Sequence, residues 1–128
     1  MAAAQTPEEV HRHWSESFNA GDADAMLELY EDDALLLAQP GSEPVRGKEA
    51  IRTALDGFLA AGARFEFRET RSLATEEVGV VYSKWTLTGG SGPEGAPMDL
   101  AAETTDIMRR QSDGRWLFAI DNPWGVGG

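Results

Sequence analysis

The chain contains no cysteine and little positive charge. Without thiols, disulfide frameworks, cysteine nucleophiles and cysteine-ligated zinc or iron–sulfur sites are excluded, so stability has to come from packing. Eleven Lys and Arg residues stand against 22 Asp and Glu residues, a net charge of -11. Because such a charge repels phosphate backbones and anionic lipids, we expect neither nucleic acid nor a membrane as a partner.

Long apolar runs are missing as well. No stretch approaches the ~18 apolar residues that cross a membrane, and residues 1–14 lack the basic start and apolar centre of a secretion signal. We therefore expect a cytoplasmic protein. The composition is typical of one globular domain spanning 1–128, because 41% of the 128 residues are hydrophobic and 26% are charged.

The first half of the sequence predicts three helices. The first begins after the cap Thr6 and stops at Gly21, a short second helix follows the cap Asp22 and carries Tyr30 near its end, and residues 47–61 form the third. The first helix has one apolar stripe at four-residue spacing, which predicts the face that packs inward. Its members are Val10, Trp14 and Phe18.

The second half predicts strands. Residues 34–38 already read as a short buried strand between the second and third helices. After Ala63 the residues alternate in type, and we predict strands around Phe65 and Phe67 and over 78–88, 99–111 and 115–122. Residues 89–97 are predicted to be a hairpin loop. Three helices interleaved with one strand, followed by an antiparallel meander of four, is an α+β pattern.

The acidic residues of 19–37 pose a question of metal binding. A calcium loop that began at Asp22 would need an acidic or amide ligand at its fifth position and glycine at its sixth, where the chain has Met26 and Leu27. We therefore interpret Asp22 as a helix N-cap and Asp24 as a carboxylate near the positive end of the helix dipole. No metal or cofactor is expected.

Four short motifs, in this order, resemble the nuclear transport factor 2-like superfamily: GDADAMLELYEDDALL, VRGKEAI, DIMRR and DGRW. They are most similar to its ketosteroid-isomerase-like and SnoaL-like branch, and the resemblance covers about residues 7–124. It implies a cone-shaped, cystatin-like fold in which a curved antiparallel sheet wraps around the three helices, a deep pocket, and homodimers formed through the sheet. It does not imply one activity, because the branch includes isomerases, cyclases, dehydratases, hydrolases and pocket proteins of unassigned role.

The resemblance suggests where catalytic groups would lie. Ketosteroid isomerases of this branch use an aspartate base, a tyrosine donor and a protonated strand acid. Carried over through the motifs, the base falls on Ala38 or Gln39, the tyrosine on Trp14 and the strand acid on Glu103. Only Glu103 keeps acid chemistry, so isomerisation of the steroid type is not expected.

Two carboxylates are the candidate catalytic residues. Glu103 shares a strand face with Thr105 and Ile107, which predicts an inward carboxyl group with a raised pKa; a cross-strand pair with an arginine on the outer face is the alternative. Asp121 ends the last predicted strand near the cavity mouth, where some relatives keep a working carboxylate. For Asp121 a salt bridge or a turn hydrogen bond remains the alternative.

The candidate substrate-binding residues are aromatic side chains with a few polar ones among them. They are Trp14, Tyr30, Gln39, Phe58, Trp85 and Asn122, although aromatic stripes also serve as plain core. His11 and His13 are expected at the surface or packed at an edge of the first helix. Two residues apart on a helix, they do not face each other as metal ligands.

The sequence thus predicts a small homodimeric pocket protein that binds a largely apolar organic molecule, with acid/base chemistry through Glu103 as an isomerase, cyclase or hydrolase. Enzyme status stays open, because no second proton-transfer group is evident opposite Glu103. The alternative is a non-catalytic ligand-binding or accessory protein that acts through its pocket or its sheet-face dimer interface.

Overall fold

A computed structural model describes residues 3–127 of the chain. Its helices are α1 (Pro7–Asn19), α2 (Ala23–Leu27) and α3 (Lys48–Ala60). Its strands are β1 (Tyr30–Leu36), β2 (Val45–Arg46), β3 (Arg64–Ala74), β4 (Val78–Ser91), β5 (Pro97–Arg110) and β6 (Trp116–Asp121). None of the helices within residues 3–127 is long and apolar enough to cross a membrane.

The predicted helix caps are confirmed. The Thr6 hydroxyl accepts a hydrogen bond from the backbone N–H of Glu9 at 3.2 Å, and the Asp22 carboxylate accepts one from Ala25 at 3.0 Å. Each cap contributes about 1 kcal/mol by satisfying a backbone donor that the first turn leaves free. Between the two helices Gly21 has a φ of 71°, a left-handed conformation that glycine adopts without steric cost.

One six-stranded sheet has the order β2-β1-β6-β5-β4-β3. The predicted antiparallel meander from β3 to β6 is confirmed, and the α+β fold class with it. One pair departs from the antiparallel pattern, because β1 lies parallel to β6. Register shifts interrupt β3/β4, β4/β5 and β5/β6, and such bulges bend strands, which lets the sheet curve around the helices.

Helix α1 lies across the inner face of the sheet and contacts β3 and β6. Its predicted stripe of Val10, Trp14 and Phe18 is buried, as expected from the four-residue spacing. Apolar side chains from all three helices join those of the sheet in a single core. The sheet's other side, away from the helices, is called the outer face below.

Two predicted boundaries were wrong. Tyr30 does not belong to the second helix: α2 ends at Leu27, and Tyr30 opens β1 by pairing with Phe118 of β6. The loop predicted over 89–97 is shorter, because Gly90 still pairs with Met98 and Ser91 with Pro97. In both places strand pairing outweighs the local sequence signal, with the distant strand β6 for Tyr30 and with the next strand of the same hairpin for Gly90 and Ser91.

Candidate functional site

A cavity of about 70 Å³ lies between the helices and the inner face of the sheet. Most of its wall is aromatic. Eight aromatic side chains line it: Trp14, Phe18, Phe58, Phe65, Phe67, Trp85, Phe118 and Trp124. The other lining residues are apolar apart from two aspartates and one threonine: Leu87, Leu100, Thr104, Asp106, Asp121 and Pro123.

The aromatic wall is packed ring against ring. The ring centroids of Trp14 and Phe65 lie 4.6 Å apart in an edge-to-face arrangement, and Phe65 stacks on Trp85 at 5.3 Å. The indole N–H of Trp85 donates to the carbonyl oxygen of Pro123 at 2.6 Å. Contacts of this kind hold large side chains in fixed positions, so the shape of the cavity is largely preformed.

Asp106 and Asp121 form an acid pair at this cavity. Ile107 of β5 pairs with Ile120 of β6, and this register brings the preceding Asp106 beside the following Asp121. Only 1% of Asp106 and 6% of Asp121 is exposed. Their carboxyl groups lie within hydrogen-bonding reach of each other, and a bond between them requires a proton on one of the two.

Asp106 is surrounded by donors. One oxygen, Oδ1, accepts hydrogen bonds from the Thr104 hydroxyl and from the backbone N–H of Asn122, both at 2.8 Å. The other, Oδ2, lies 2.6 Å from Nε2 of His11. A carboxylate that accepts several hydrogen bonds is stabilised in its charged form.

Asp121 has a different environment. Its Oδ2 accepts a hydrogen bond from the hydroxyl of Tyr30 at 2.5 Å, and that hydroxyl accepts one from the indole N–H of Trp14 at 3.0 Å. Tyr30 is fully buried, and burial together with the neighbouring Asp121 carboxylate raises its pKa well above the usual value. The phenol therefore stays protonated and remains a donor to Asp121.

Burial governs the charge of the acid pair. It raises the pKa of Asp106 to about 6, although hydrogen bonds from Asp121, Thr104 and Asn122 act in the opposite direction. It also raises the pKa of Asp121 well above the usual value, and the negative charge of Asp106 raises it further. Because neighbouring carboxyl groups repel each other when both are ionised, burial and proximity favour a state in which the pair holds one proton.

The predicted binding residues are only partly placed at the cavity. Trp14, Phe58 and Trp85 line it. Tyr30 and Asn122 do not line it but contact the acid pair from behind. Gln39 lies exposed in the loop after β1, away from the cavity lining, so its expected position was wrong. The chain turns away from the core there because Pro40 and Gly41 follow directly.

The two predicted carboxylates differ in position. Asp121 faces the cavity, and it bonds to Tyr30 and Asp106 rather than to a surface cation. The expected inward orientation of Glu103 was wrong, because its side chain is exposed on the outer face. Strand side chains alternate, and in β5 the inward set is Thr104, Asp106 and Met108.

His11 and Asp106 are the residues that sequence reasoning missed. Both histidines were expected at the surface or an edge, yet His11 is 2% and His13 4% exposed. For His11 the spacing carried a signal, since it lies three residues before Trp14 and so on the same side of the helix. For Asp106 the signal was its alternation with Met108, an apolar residue two positions on.

The arrangement suits proton transfer. A carboxyl pair with one shared proton offers both an acceptor and a donor, and an apolar surrounding strengthens their interaction with a bound molecule. Within residues 3–127 no group of three or more His, Asp or Glu side chains is arranged to hold a metal ion.

The chain resembles known proteins over most of its length. The SnoaL-like domain family matches residues 11–118. None of the curated proteins matches the chain significantly.

Solved structures show the same fold at low sequence identity. A candidate scytalone dehydratase from Novosphingobium aromaticivorans has a TM-score of 0.77 and 16% identity, covering 89% of this chain and 77% of its own. A ketosteroid isomerase-like protein from Erwinia carotovora has a TM-score of 0.71 and 23% identity, covering 89% and 88%. A candidate dehydratase of the NTF2-like family from Streptomyces avermitilis has a TM-score of 0.74 and 15% identity, covering 89% of each chain. At these identities the likeness shows the fold alone.

Proposed function

Because the chain belongs to the family of SnoaL-like domains, we propose that it binds a small, largely apolar organic molecule and moves a proton within it through Asp106 and Asp121. The observation that carries this proposal is the position of the acid pair: two buried carboxyl groups at an otherwise apolar, aromatic cavity. Burying an ionisable pair costs stability that an apolar pair of similar shape would not, which favours a functional explanation.

The chemistry follows from the single shared proton. The ionised carboxylate takes a proton from a carbon next to a carbonyl group, and the protonated carboxyl donates to the carbonyl oxygen as negative charge develops there. If the abstracted proton is replaced by one from solvent before a proton returns to the same carbon, the result is hydrogen exchange, and return to a conjugated carbon gives isomerisation. Loss of a hydroxyl group that has been protonated gives dehydration. Each outcome needs one acid and one base, which the pair supplies.

The cavity limits the size of the molecule. A volume of about 70 Å³ is well below the range usual for drug-sized ligands, so the part of the molecule that it encloses is no larger than one small ring. Aromatic walls favour a flat or conjugated ring, since ring-on-ring contacts add to apolar burial. No Lys or Arg lines the cavity among the described residues, so an uncharged molecule fits better than an anion.

The names of the structural neighbours are consistent with this class of chemistry. Isomerisation and dehydration, named for an isomerase-like protein and two candidate dehydratases, are both proton-transfer reactions. Within such a shared fold the reaction is decided by the residues of each site, and for this chain those are Asp106 and Asp121.

Cyclohexanone in D₂O provides a direct test. Tryptophan fluorescence reports its binding, because Trp14, Trp85 and Trp124 line the cavity, and ¹H NMR measures loss of the protons next to its carbonyl group. We expect saturable binding and faster exchange with the wild type, and binding without exchange for Asp121→Asn. The matched control is Glu76→Gln, which removes an exposed acid in the turn between β3 and β4. Equal exchange by wild type and Asp121→Asn would reject proton transfer by the pair.

Non-catalytic binding is the second candidate function. It is favoured by the number of hydrogen bonds that already occupy the acid pair, from Tyr30, Thr104, Asn122 and His11. A protein of this kind would hold its ligand unchanged or act through its outer face on a partner. Saturable binding of cyclohexanone together with exchange no faster than in buffer would support it.

A further inference from the structure

His11 does not touch the cavity, yet it contacts the acid pair from the opposite side. Its ring is 2% exposed, and Nε2 lies 2.6 Å from Oδ2 of Asp106. The ring stacks face to face on Phe67, with centroids 4.2 Å apart and planes at 7°. Residues of α1 and β3 thus hold the imidazole beside Asp106.

The second ring nitrogen shows which tautomer is present. Nδ1 of His11 is buried and has no hydrogen-bond partner among the described residues. A proton on Nδ1 would leave a buried donor unsatisfied, whereas a bare nitrogen loses only a weaker acceptor interaction. The geometry therefore favours a neutral ring that carries its proton on Nε2 and donates it to Asp106.

The charges around the ring agree with a neutral form. Burial lowers the pKa of His11 to about 4, although Asp121 and Glu8 act in the opposite direction. Glu8 faces the ring from α1 itself, Asp121 from β6 and Asp106 from β5, while β3 contributes the uncharged Phe67. A neutral donor stabilises a neighbouring carboxylate without cancelling its charge, and so leaves it usable as a base.

The donors are distributed unequally between the two acids. Asp106 receives hydrogen bonds from His11, Thr104 and the backbone of Asn122. Asp121 receives one, from Tyr30. Ionisation is favoured where more donors converge, so the negative charge belongs on Asp106 and the proton on Asp121.

We propose that His11 is a positioning residue that fixes the proton distribution of the acid pair, holding Asp106 ionised as the base and leaving Asp121 protonated as the acid. It acts through Asp106 and does not contact the substrate. The consequence for catalysis rests on the proposed function, but the proton distribution itself is a property of the free protein.

The test measures ionisation without any ligand. In protein labelled with ¹³C at the aspartate carboxyl groups, NMR follows the titration of Asp106 in the wild type, His11→Leu and His11→Gln. Losing a hydrogen bond to a charged group should raise the apparent pKa of Asp106 by roughly one to two pH units in His11→Leu. In His11→Gln the amide nitrogen replaces Nε2 as a donor, so the apparent pKa of Asp106 should rise by no more than about half as much as in His11→Leu. His13→Leu removes an equally buried ring from the same helix and should leave the Asp106 titration unchanged.

Either of two experiments could overturn the proposal. One is the carboxyl titration, through an unchanged Asp106 titration in a folded His11→Leu variant or through equal shifts in the Leu and Gln variants. The other needs no variant: ¹⁵N NMR of wild-type His11 should show a neutral ring protonated on Nε2 at pH 7, and an imidazolium or a proton on Nδ1 would contradict it.

The same variants separate this proposal from the proposed function. If cyclohexanone exchange is catalysed, its rate should fall at low pH as the base Asp106 becomes protonated. In His11→Leu this fall should move to higher pH by the same amount as the Asp106 titration. If no exchange occurs but the titration shifts as expected, the proton distribution stands and the proposed chemistry fails.

Discussion

The carboxyl groups of Asp106 and Asp121 lie within hydrogen-bonding reach of each other on neighbouring strands, and both line an aromatic cavity. Strands β5 and β6 supply one acid each, and their register decides that the two meet. Together the two aspartates provide one proton donor and one proton acceptor, and most of the following predictions depend on this pairing.

Replacement by asparagine should affect the two acids differently. In Asp121→Asn the amide N–H₂ can donate to Asp106 and the amide oxygen can accept from Tyr30, so it imitates the protonated acid, and we expect a change in unfolding free energy within ~1 kcal/mol. In Asp106→Asn the amide group meets the donor of His11, which leaves a buried donor unsatisfied and costs on the order of 2 kcal/mol. Urea unfolding of both variants measures the difference, and equal losses would contradict the assigned proton positions.

The pH dependence of stability should change in Asp121→Asn. An acid whose pKa is raised by folding binds more protons in the folded state, so its contribution to the unfolding free energy falls as pH rises above the ordinary value near 3.8. His11, whose pKa is lowered to about 4, has the opposite effect between about pH 4 and 6.5 and none above. Above pH 6.5 the wild type should therefore lose stability relative to Asp121→Asn. Unfolding at pH 7 and pH 9 checks the sign, and a constant difference would be contrary to it.

Shortening Trp14 should affect both stability and binding. Trp14→Ala removes a buried ring from the aromatic wall together with the donor to Tyr30, and such changes cost about 3–5 kcal/mol. Trp14→Phe keeps most of the packing and loses mainly the hydrogen bond, about 1 kcal/mol. We expect weaker cyclohexanone binding in Trp14→Ala than in Trp14→Phe, measured by titration of the remaining tryptophan fluorescence. Normal stability and binding in Trp14→Ala would show that the ring is not part of the site.

Removing the charge of Glu103 should have little effect. Its side chain is exposed on the outer face, with the whole sheet between it and the acid pair. Glu103→Gln is therefore expected to leave cyclohexanone binding, exchange and unfolding free energy nearly unchanged, the last within about 0.5 kcal/mol. The experiment compares it with Asp121→Asn in the same assays, and a loss of exchange in Glu103→Gln would restore the role that the sequence suggested.

An apolar row on the outer face predicts that two copies of the chain associate. Strand register aligns five side chains across five strands: Leu73, Val80, Ile107, Ile120 and Leu35. Leu73 is 69% and Ile120 41% exposed, and charges of both signs flank the row, with Lys84 paired to Glu69 at 2.7 Å. A surface that carries both signs around an apolar centre can complement a second copy of itself.

Sedimentation of an Ile107→Lys variant tests this association. A lysine at the centre of the row should convert a dimer into a monomer, because a charge buried in the contact would have no partner. Thr88→Lys, which adds the same charge at an exposed position of β4 outside the row, should sediment like the wild type. A monomeric wild type at the same concentration would contradict the prediction.

Local features of the sequence were sufficient for the helices and the meander. The caps Thr6 and Asp22 and the stripe from Val10 to Phe18 act within one or two turns, so their signal survives without knowledge of the fold. Boundaries failed where a distant partner decided the outcome, as when Tyr30 left the expected helix to pair with Phe118.

The candidate site was only partly predictable for a similar reason. In β5 both faces carry apolar and polar residues, so alternation alone does not say whether Glu103 or Asp106 faces the helices. The sequence analysis assigned Glu103, Thr105 and Ile107 to the inner face of β5. The opposite alternation is the one found, so Glu103 lies on the outer face and Asp106 at the cavity. His11 required the position of α1 on β3 and β6, since only that packing brings its ring to Asp106.

By itself the sequence determined the α+β class, the helix starts and the order of the long strands, because these depend on residues close together in the chain. The tertiary structure alone decided which face of β5 is inside, and so which acids meet and where their proton lies. Those depend on strand register and burial, which arise from contacts between residues 15 and 95 positions apart along the chain, as between Asp106 and its partners Asp121 and His11.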